Sequence, residues 1–313
     1  MRVLVTPRSF GKADATPLNI LKDAGVEIVA NPKGGILSED ELIAALDGCD
    51  GVVIGVDPLT DKVIQSANKL RAIAKYGVGT DNIDLEAARA RGIPVSRTVG
   101  ANAKAVADYA FAMMLAAARR VIPIDAMCRK GQWGKQLGTD VCGKTLGLIG
   151  LGAIGREMVK RAHGFDMTVI AEDTFWDAGY AAENQVMRTD IPDICKRADF
   201  ISLHVPLTSE TRGLIGADEL ALMKPTAILI NTARGGLIDE DALLAALKER
   251  RIYAAGLDAF EKEPPDDDAW FTLDNVVLGS HAGASTDGAA TAMGVMAARN
   301  LIKDLKLLED KHG

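Results

Sequence analysis

Cysteine is scarce in this chain of 313 residues. The four present, Cys49, Cys128, Cys142 and Cys195, stand at no spacing that would ligate a metal. They read as reduced thiols of a cytoplasmic protein, and no metal site is expected. No apolar run reaches 18 residues, so no membrane-spanning helix is expected. The opening Met1-Arg-Val-Leu-Val-Thr-Pro7 is too short an apolar run for a secretory leader. Long basic runs are also missing and the net charge is −7, which argues against nucleic acid or an anionic membrane surface as a partner. Neither internal repeats nor low-complexity segments stand out. What remains is 48% hydrophobic and 25% charged, the composition of an ordinary globular protein long enough for two domains with sizeable cores.

The first hundred residues alternate strand and helix signals. Short buried strands are expected at Val3–Val5, Glu27–Val29, Gly51–Ile54 and Ala72–Ala74. Helices are expected at Leu18–Ala24, Glu39–Leu46, Asp61–Ser66 and Leu85–Ala90, several opened by Ser or Asp caps. Such alternation implies a parallel sheet covered by helices on both faces. Ala101 to Arg120 is a long Ala- and Met-rich helix former, apolar on most faces and followed by Pro123, and is expected to pack between domains or subunits. Further strands are expected at Phe200–Leu203, Ala227–Ile230, Tyr253–Ala255 and Val276–Leu278. The acidic stretch at 264–268 reads as a loop, and the pattern from Ala284 to Leu308 is helical.

One stretch carries chemistry on its own. Thr145 to Ile149 is a buried-strand run, followed by Gly150-x-Gly152-x-x-Gly155 and a helical pattern from Arg156 to His163. The three glycines serve a tight turn, close approach of a pyrophosphate, and close helix–strand packing. The helix start then offers free N–H groups and a positive dipole end to the anion. A second apolar run, Met167 to Ala171, ends at Glu172-Asp173, where Asp173 could accept from a ribose 2′-OH. The expected cofactor is NAD.

A hydride-transfer enzyme needs a proton donor near neutral pH, and histidine suits it. Of the four histidines, His163 sits at a helix end and His312 in the terminal tail, both places for surface residues. His204 closes one strand and His281 follows the last, each at a carboxyl edge where ligands of such sheets bind, and periodicity does not separate them. Arg234, in Asn231-Thr-Ala-Arg-Gly-Gly236, follows a strand and could hold a carboxylate bidentately. Either Glu261 or Glu263 could support a histidine as imidazolium.

Six segments together resemble the D-2-hydroxyacid dehydrogenase family, in particular its short phosphoglycerate-dehydrogenase-like members. They are Lys75–Asp84 (KYGVGTDNID), Gly143–Gly155, Ser202–Thr208 (SLHVPLT), Asn231–Gly235 (NTARG), Leu257–Pro265 (LDAFEKEPP) and His281–Thr286 (HAGAST), in family order along almost the whole chain. The resemblance implies an α/β fold of two doubly wound parallel-sheet domains. A Rossmann cofactor domain, residues 100–283, is inserted in a flavodoxin-like substrate domain, residues 1–99 and 284–313. It implies Arg234, Glu263 and His281 as the catalytic set, so that His204 becomes a cofactor-side residue and Glu261 yields to Glu263. Cofactor contacts are implied at Gly150, Gly152, Ala153, Ile154, Gly155, Asp173, His204, Val205, Pro206, Thr232, Ala233, Asp258 and Gly283, with Asp258 meeting the nicotinamide carboxamide. Substrate contacts are implied at Lys75, Val78, Gly79, Arg234 and His281, the Val78-Gly79 backbone holding the carboxylate. Family members resembling this chain pair through the cofactor domain, so a homodimer is expected.

Three departures from the family pattern matter. The polar pair that commonly follows the third strand of the substrate domain is replaced by Gly55-Val56-Asp57, which argues against phosphoglycerate itself. The proline usual before the catalytic histidine is Ser280, and the long C-terminal regulatory domain of some phosphoglycerate dehydrogenases is not expected. The implied activity is NAD-dependent interconversion of a small polar 2-hydroxy acid and its 2-keto acid, of 3-phosphoglycerate or hydroxypyruvate/glyoxylate type. The alternatives are a same-fold dehydrogenase of formate or phosphite and an NAD(H)-sensing, corepressor-like binding protein.

Overall fold

The structure, a computed structural model, describes residues 1–306. The end of the helix expected to reach Leu308, and the tail bearing His312, lie outside the described residues. The chain divides into two units. Met1–Asn102 joins the returning segment from Ser285 in one, and Ala103–Ala284 forms the other.

The first unit runs β1 (Arg2–Val5), α1 (Thr16–Asp23), β2 (Glu27–Ala30), α2 (Glu39–Leu46), β3 (Gly51–Ile54), α3 (Asp61–Ser66), β4 (Ala72–Lys75), α4 (Leu85–Ala90) and β5 (Val95–Arg97). Its five strands are all parallel in the order β2-β1-β3-β4-β5. The central strands β3 and β4 are buried along their whole length, as befits a sheet covered on both faces. Ser38 opens α2 with a full capping box, its side chain taking Glu41 N while the Glu41 carboxylate takes Ser38 N.

The second unit runs α5 (Ala103–Ala118), α6 (Val121–Arg129), β6 (Thr145–Ile149), α7 (Ala153–His163), β7 (Thr168–Glu172), α8 (Ala178–Glu183), β8 (Val186–Arg188), α9 (Ile191–Arg197), β9 (Phe200–Leu203), α10 (Ala217–Leu222), β10 (Ile228–Asn231), α11 (Glu240–Lys248), β11 (Ala254–Leu257), α12 (Ala269–Thr272) and β12 (Val276–Leu278). Seven parallel strands lie in the order β12-β11-β10-β9-β6-β7-β8. The order reverses between β6 and β9, so the switch point of this sheet falls at the carboxyl ends of Ile149 and Leu203. Val106 of α5 lies in ordinary contact distance of the Gly283 position, so this unit begins and ends at one place. The chain then returns to the first unit as α13 (Asp287–Asp304), which packs on α1, β3 and β4 and places Ala297, Ala298 and Leu301 in that core.

Several expectations are corrected. The helix expected over 101–120 is shorter, and its apolar faces are spent inside its own unit, against α7, β10, β11 and β12. The reason is that a helix packed against three sheet strands and a neighbouring helix needs apolar side chains nearly all round. Pro123 does not end helical structure. Arg120 in the left-handed region (φ 52°) breaks the chain, and Pro123 lies in the first turn of the new helix α6, where its missing N–H costs nothing. The glycine-loop helix starts at Ala153 rather than Arg156, and the short edge strands β5 and β8 had no counterpart in the sequence reading.

Candidate active site

The glycine loop leaves β6 at the switch point. Gly150 has φ 100°, and a Cβ there would lie 2.6 Å from the carbonyl oxygen of His204, the residue just after β9. A Cβ at Gly155 would meet Gly150 O at 2.2 Å, so the third glycine is demanded by the turn packing on α7. Gly152 differs. A Cβ there would meet no protein atom within 4 Å, and its φ of −73° suits any residue. Space is left over the start of α7 that the protein itself does not use, at the end of a helix suited to a phosphate.

Asp173 follows β7 and faces this loop. Its Oδ2 accepts from Leu151 N (2.6 Å) and its Oδ1 from Phe175 N (2.7 Å). Each carboxylate oxygen keeps a further lone pair for a ribose hydroxyl. Leu151 is gripped from its other side by Arg156, whose Nε donates to Leu151 O (3.2 Å) while its Nη2 pairs with Asp177 (2.8 Å) and its guanidinium lies over the Tyr180 ring. The sequence reading missed this clamp, whose signal was an arginine one residue beyond the third glycine.

Two buried polar atoms line the same sheet edge without a partner among the described residues, His204 Nδ1 and Thr232 Oγ1. They follow adjacent strands, since Leu203 of β9 pairs with Asn231 of β10. Buried polar atoms are normally satisfied, so these two point to a polar ligand. With Gly152 and Asp173 they fit a dinucleotide, which would lie along the glycine loop, the α7 start and the ends of β9 and β10. Ala153, Ile154, Val205, Pro206 and Ala233 belong to these same turns. The Nε2 of His204 lies 2.9 Å from Ser202 Oγ, and burial pushes the imidazole pKa down to about 3. Burial thus favours the neutral imidazole at His204, a poor state for giving up a proton.

His281 has the opposite surroundings. Its Nδ1 stands 2.9 Å from both carboxylate oxygens of Glu263, and the side chain is half exposed. A carboxylate accepts only, so Nδ1 carries a hydrogen and Nε2 is the atom left to exchange a proton. The ring sits on a left-handed residue (φ 57°) that is held by Asp258. Three successive amides donate to that one residue: His281 N to Asp258 O (2.9 Å), and Ala282 N and Gly283 N to its two carboxylate oxygens (2.8 Å each). Burial raises the Asp258 carboxyl above the ordinary range, against the pull of those two amides. Each Asp258 carboxylate oxygen thus accepts one amide of the histidine loop and, like those of Asp173, keeps a further lone pair. Glu261 pairs instead with Arg212 (2.7 Å).

Arg234 stands on the turn after β10, and the buried Asn231 shapes that turn. Its Oδ1 accepts from Ala233 N (3.0 Å) and its Nδ2 donates to Arg234 O (2.7 Å). This role of Asn231 went unassigned, although Asn at a strand end is the residue that makes such a turn. Gly235 then passes so close to the Phe260–Glu261 backbone that a Cβ would fall 1.9 Å from Phe260 C.

The residues expected to meet substrate from the first unit are Lys75, Val78 and Gly79. Val78 is exposed in the loop after β4. Lys75 is buried, and its ammonium donates to Gly55 O (2.6 Å) and Asn82 Oδ1 (2.7 Å), bracing the loop after β3. Asp57 of that loop turns inward, accepting from Leu37 N (2.8 Å) and from the Thr6 hydroxyl, and so presents no polar group outward, while Val56 is exposed.

Comparison with known proteins shows the family. Residues 111–283 match the family described as D-isomer specific 2-hydroxyacid dehydrogenase, NAD binding domain. A D-3-phosphoglycerate dehydrogenase of Methanocaldococcus jannaschii is 45% identical over 293 residues, 92% of this chain but 55% of that protein, so the chain spans about half of that relative's length. A glyoxylate reductase of Thermococcus litoralis is 44% identical over 282 residues, 87% of this chain and 84% of that protein. Among solved structures, the TT0316 protein of Thermus thermophilus superposes with a TM-score of 0.88 at 38% identity, covering 98% of this chain and 97% of the other.

Proposed function

The chain belongs to the D-isomer-specific 2-hydroxyacid dehydrogenase family, whose matched domain binds NAD, and from that premise we propose that it interconverts a small polar 2-hydroxy acid and its 2-keto acid. The observation that carries this reading is the His281–Glu263 pair, set in the same unit as the glycine loop. NADH, when bound, would supply the hydride that reduces C2 of the keto acid. His281 Nε2 gives its proton to the forming alkoxide, and Glu263 steadies the imidazolium through Nδ1. The Arg234 fork holds the substrate carboxylate and polarises the neighbouring carbonyl.

The substrate should carry a polar or anionic group beyond C2. Arg8 and Lys12 are exposed on the loop after β1, where charge-assisted hydrogen bonds would favour a dianion. The inward turn of Asp57 leaves a phosphate without the family's usual polar pair. Hydroxypyruvate and phosphorylated or sulfonated three-carbon acids are therefore favoured over pyruvate or branched keto acids. The test is NADH consumption across these acids, glyoxylate, formate and phosphite. Arg8→Ala should raise KM for the best acid more than for glyoxylate, which has nothing beyond C2 to recognise. Tight NADH binding with no turnover on any of them would replace this reading by cofactor sensing, and a best rate on pyruvate would remove the role given to Arg8.

NAD should be preferred over NADP. Asp173 favours a free 2′-OH and repels a 2′-phosphate, while Thr174 and Phe175 supply no arginine to receive one. Asp173→Ala should narrow the ratio of kcat/KM for NADH over NADPH. Equal ratios in the unmutated protein would contradict the assignment.

We also propose a homodimer through the second unit. Helix α6 buries none of its residues, and Trp133 and Leu137 are each 93% exposed. The backbone at Leu137 and Thr139 is nonetheless held, by Thr139 N on Ala118 O and Tyr253 Oη on Leu137 O. A rigid segment presenting large apolar side chains is an interface awaiting a partner. Sedimentation at micromolar concentration should show a dimer, and Trp133→Asp with Leu137→Asp should yield a monomer. The four unpaired thiols support placement in the cytoplasm, and no helix among the described residues is long and apolar enough to cross a membrane.

A further inference from the structure

The Glu263–His281 pair rests on a loop whose consecutive amides are taken by two different glutamates. Phe260 N donates to Glu263 Oε1 (3.2 Å), and Glu261 N donates to Glu240 Oε1 (2.6 Å). Glu240 is the first residue of α11. The same Phe260–Glu261 peptide is pressed onto Gly235, next to Arg234, where a Cβ would come within 2.1 Å of Glu261 N. Phe260 is also anchored below, edge-on to the buried Trp270. One peptide is thus wedged between the arginine turn and the Glu240 carboxylate, three residues before Glu263.

We propose that Glu240 is a positioning residue of the hydride-transfer reaction. Its carboxylate sets the loop that aims Glu263 at His281 Nδ1, and its charge adds to that of Glu263 in holding the imidazolium. The proposal rests on the dehydrogenase reading for its chemistry but not for its geometry. The charged groups facing Glu240 are Glu261 and Glu263 on the loop and Asp241 on its own helix, with Arg212 reaching Glu261. Burial first, and then these three carboxylates, raise the Glu240 carboxyl above the ordinary range, although its bond from Glu261 N works the other way. An acid serving only the helix dipole would be solvated and would show the reverse.

The test compares Glu240→Gln, which keeps an acceptor oxygen and loses the charge, with Glu240→Ala, which loses both. For Glu240→Gln, the alkaline limb of the pH profile for keto-acid reduction should move to lower pH by roughly half a unit, the scale of one removed charge near a partly exposed site. For Glu240→Ala, kcat should fall about ten- to a hundredfold, the scale of a loosened catalytic group, with KM and NADH affinity unchanged. The ring titration of His281, followed by NMR without substrate and assigned with His281→Gln, should move with the Glu240→Gln profile. That measurement stands even if no keto acid is turned over, so it separates failure of this proposal from failure of the dehydrogenase reading. If both variants keep the wild-type ring titration and kcat, Glu240 is only a helix-end acid. If Glu240→Ala loses thermal stability and NADH binding in parallel with kcat, its role is structural, and the proposal falls.

Discussion

His281→Gln should lower kcat for keto-acid reduction by roughly 10²–10⁴-fold, the usual contribution of a positioned proton donor, while NADH binds nearly as before. The separation follows from geometry. The ring is tied to Glu263 through Nδ1 and to Asp258 only through its backbone, so replacing it leaves the glycine loop and the ends of β9 and β10 untouched. Reduction needs the imidazolium and should weaken as pH rises. Oxidation of the hydroxy acid needs the neutral ring and should strengthen over the same range. His204→Gln should behave differently, because its imidazole is already neutral by burial and its unpartnered Nδ1 lies on the cofactor side. It should weaken NADH binding and leave the pH profile alone. If the two variants exchanged these behaviours, the assignment of acid and cofactor residue would be reversed.

The glycines give the second large effect, and here fold and function should come apart. Gly152→Ala adds a methyl group where no protein atom lies within 4 Å, so its cost to the fold is confined to a poorer helix cap, at most about 1 kcal/mol. It should nevertheless raise the NADH Kd about 10²-fold. The pyrophosphate would be pushed off the start of α7, where each charge-assisted hydrogen bond from a helix N–H is worth about 1.5 kcal/mol or more. Gly155→Ala should do the reverse first, costing roughly 1–3 kcal/mol or more in stability, because its Cβ would collide with Gly150 O. Calorimetric melting and NADH fluorescence titration on the same two proteins check both. A Gly152→Ala variant that bound NADH normally would mean that the space over α7 is not where the pyrophosphate sits.

These two predictions also show what sequence could and could not supply. The glycine loop is local: strand, turn and helix are adjacent in the chain, and each glycine's reason lies within a few residues of it or just across the switch point. The helices at Glu39–Leu46, Asp61–Ser66 and Leu85–Ala90 were legible to the residue, two of them because Ser38 and Asp84 cap them directly. The three-residue strands β5 and β8 were not, since edge strands with exposed Arg97, Met187 and Arg188 leave no buried alternation to read. The choice between His204 and His281 could not be made from periodicity either. It depends on one imidazole having its Nδ1 buried and the other meeting a glutamate 18 residues away, and both facts belong to the folded chain. The resemblance supplied that pairing in advance, but it carried no hint of Asn231 shaping the arginine turn or of Asp258 gathering three amides.

Val106 beside Gly283 has a bearing on how such a chain manages to fold at all. A polypeptide interrupted for 182 residues, Ala103–Ala284, would ordinarily charge its flanking halves the entropy of closing a very long loop. Because the interrupting segment, once folded, brings its own first helix against its own last turn, the flanking halves see only the small gap between those two points. The entropic cost to the unit that holds β1 and α13 then approaches that of a short surface turn, provided the interior segment folds first. The order of assembly this favours is inside out, with α13 docking last.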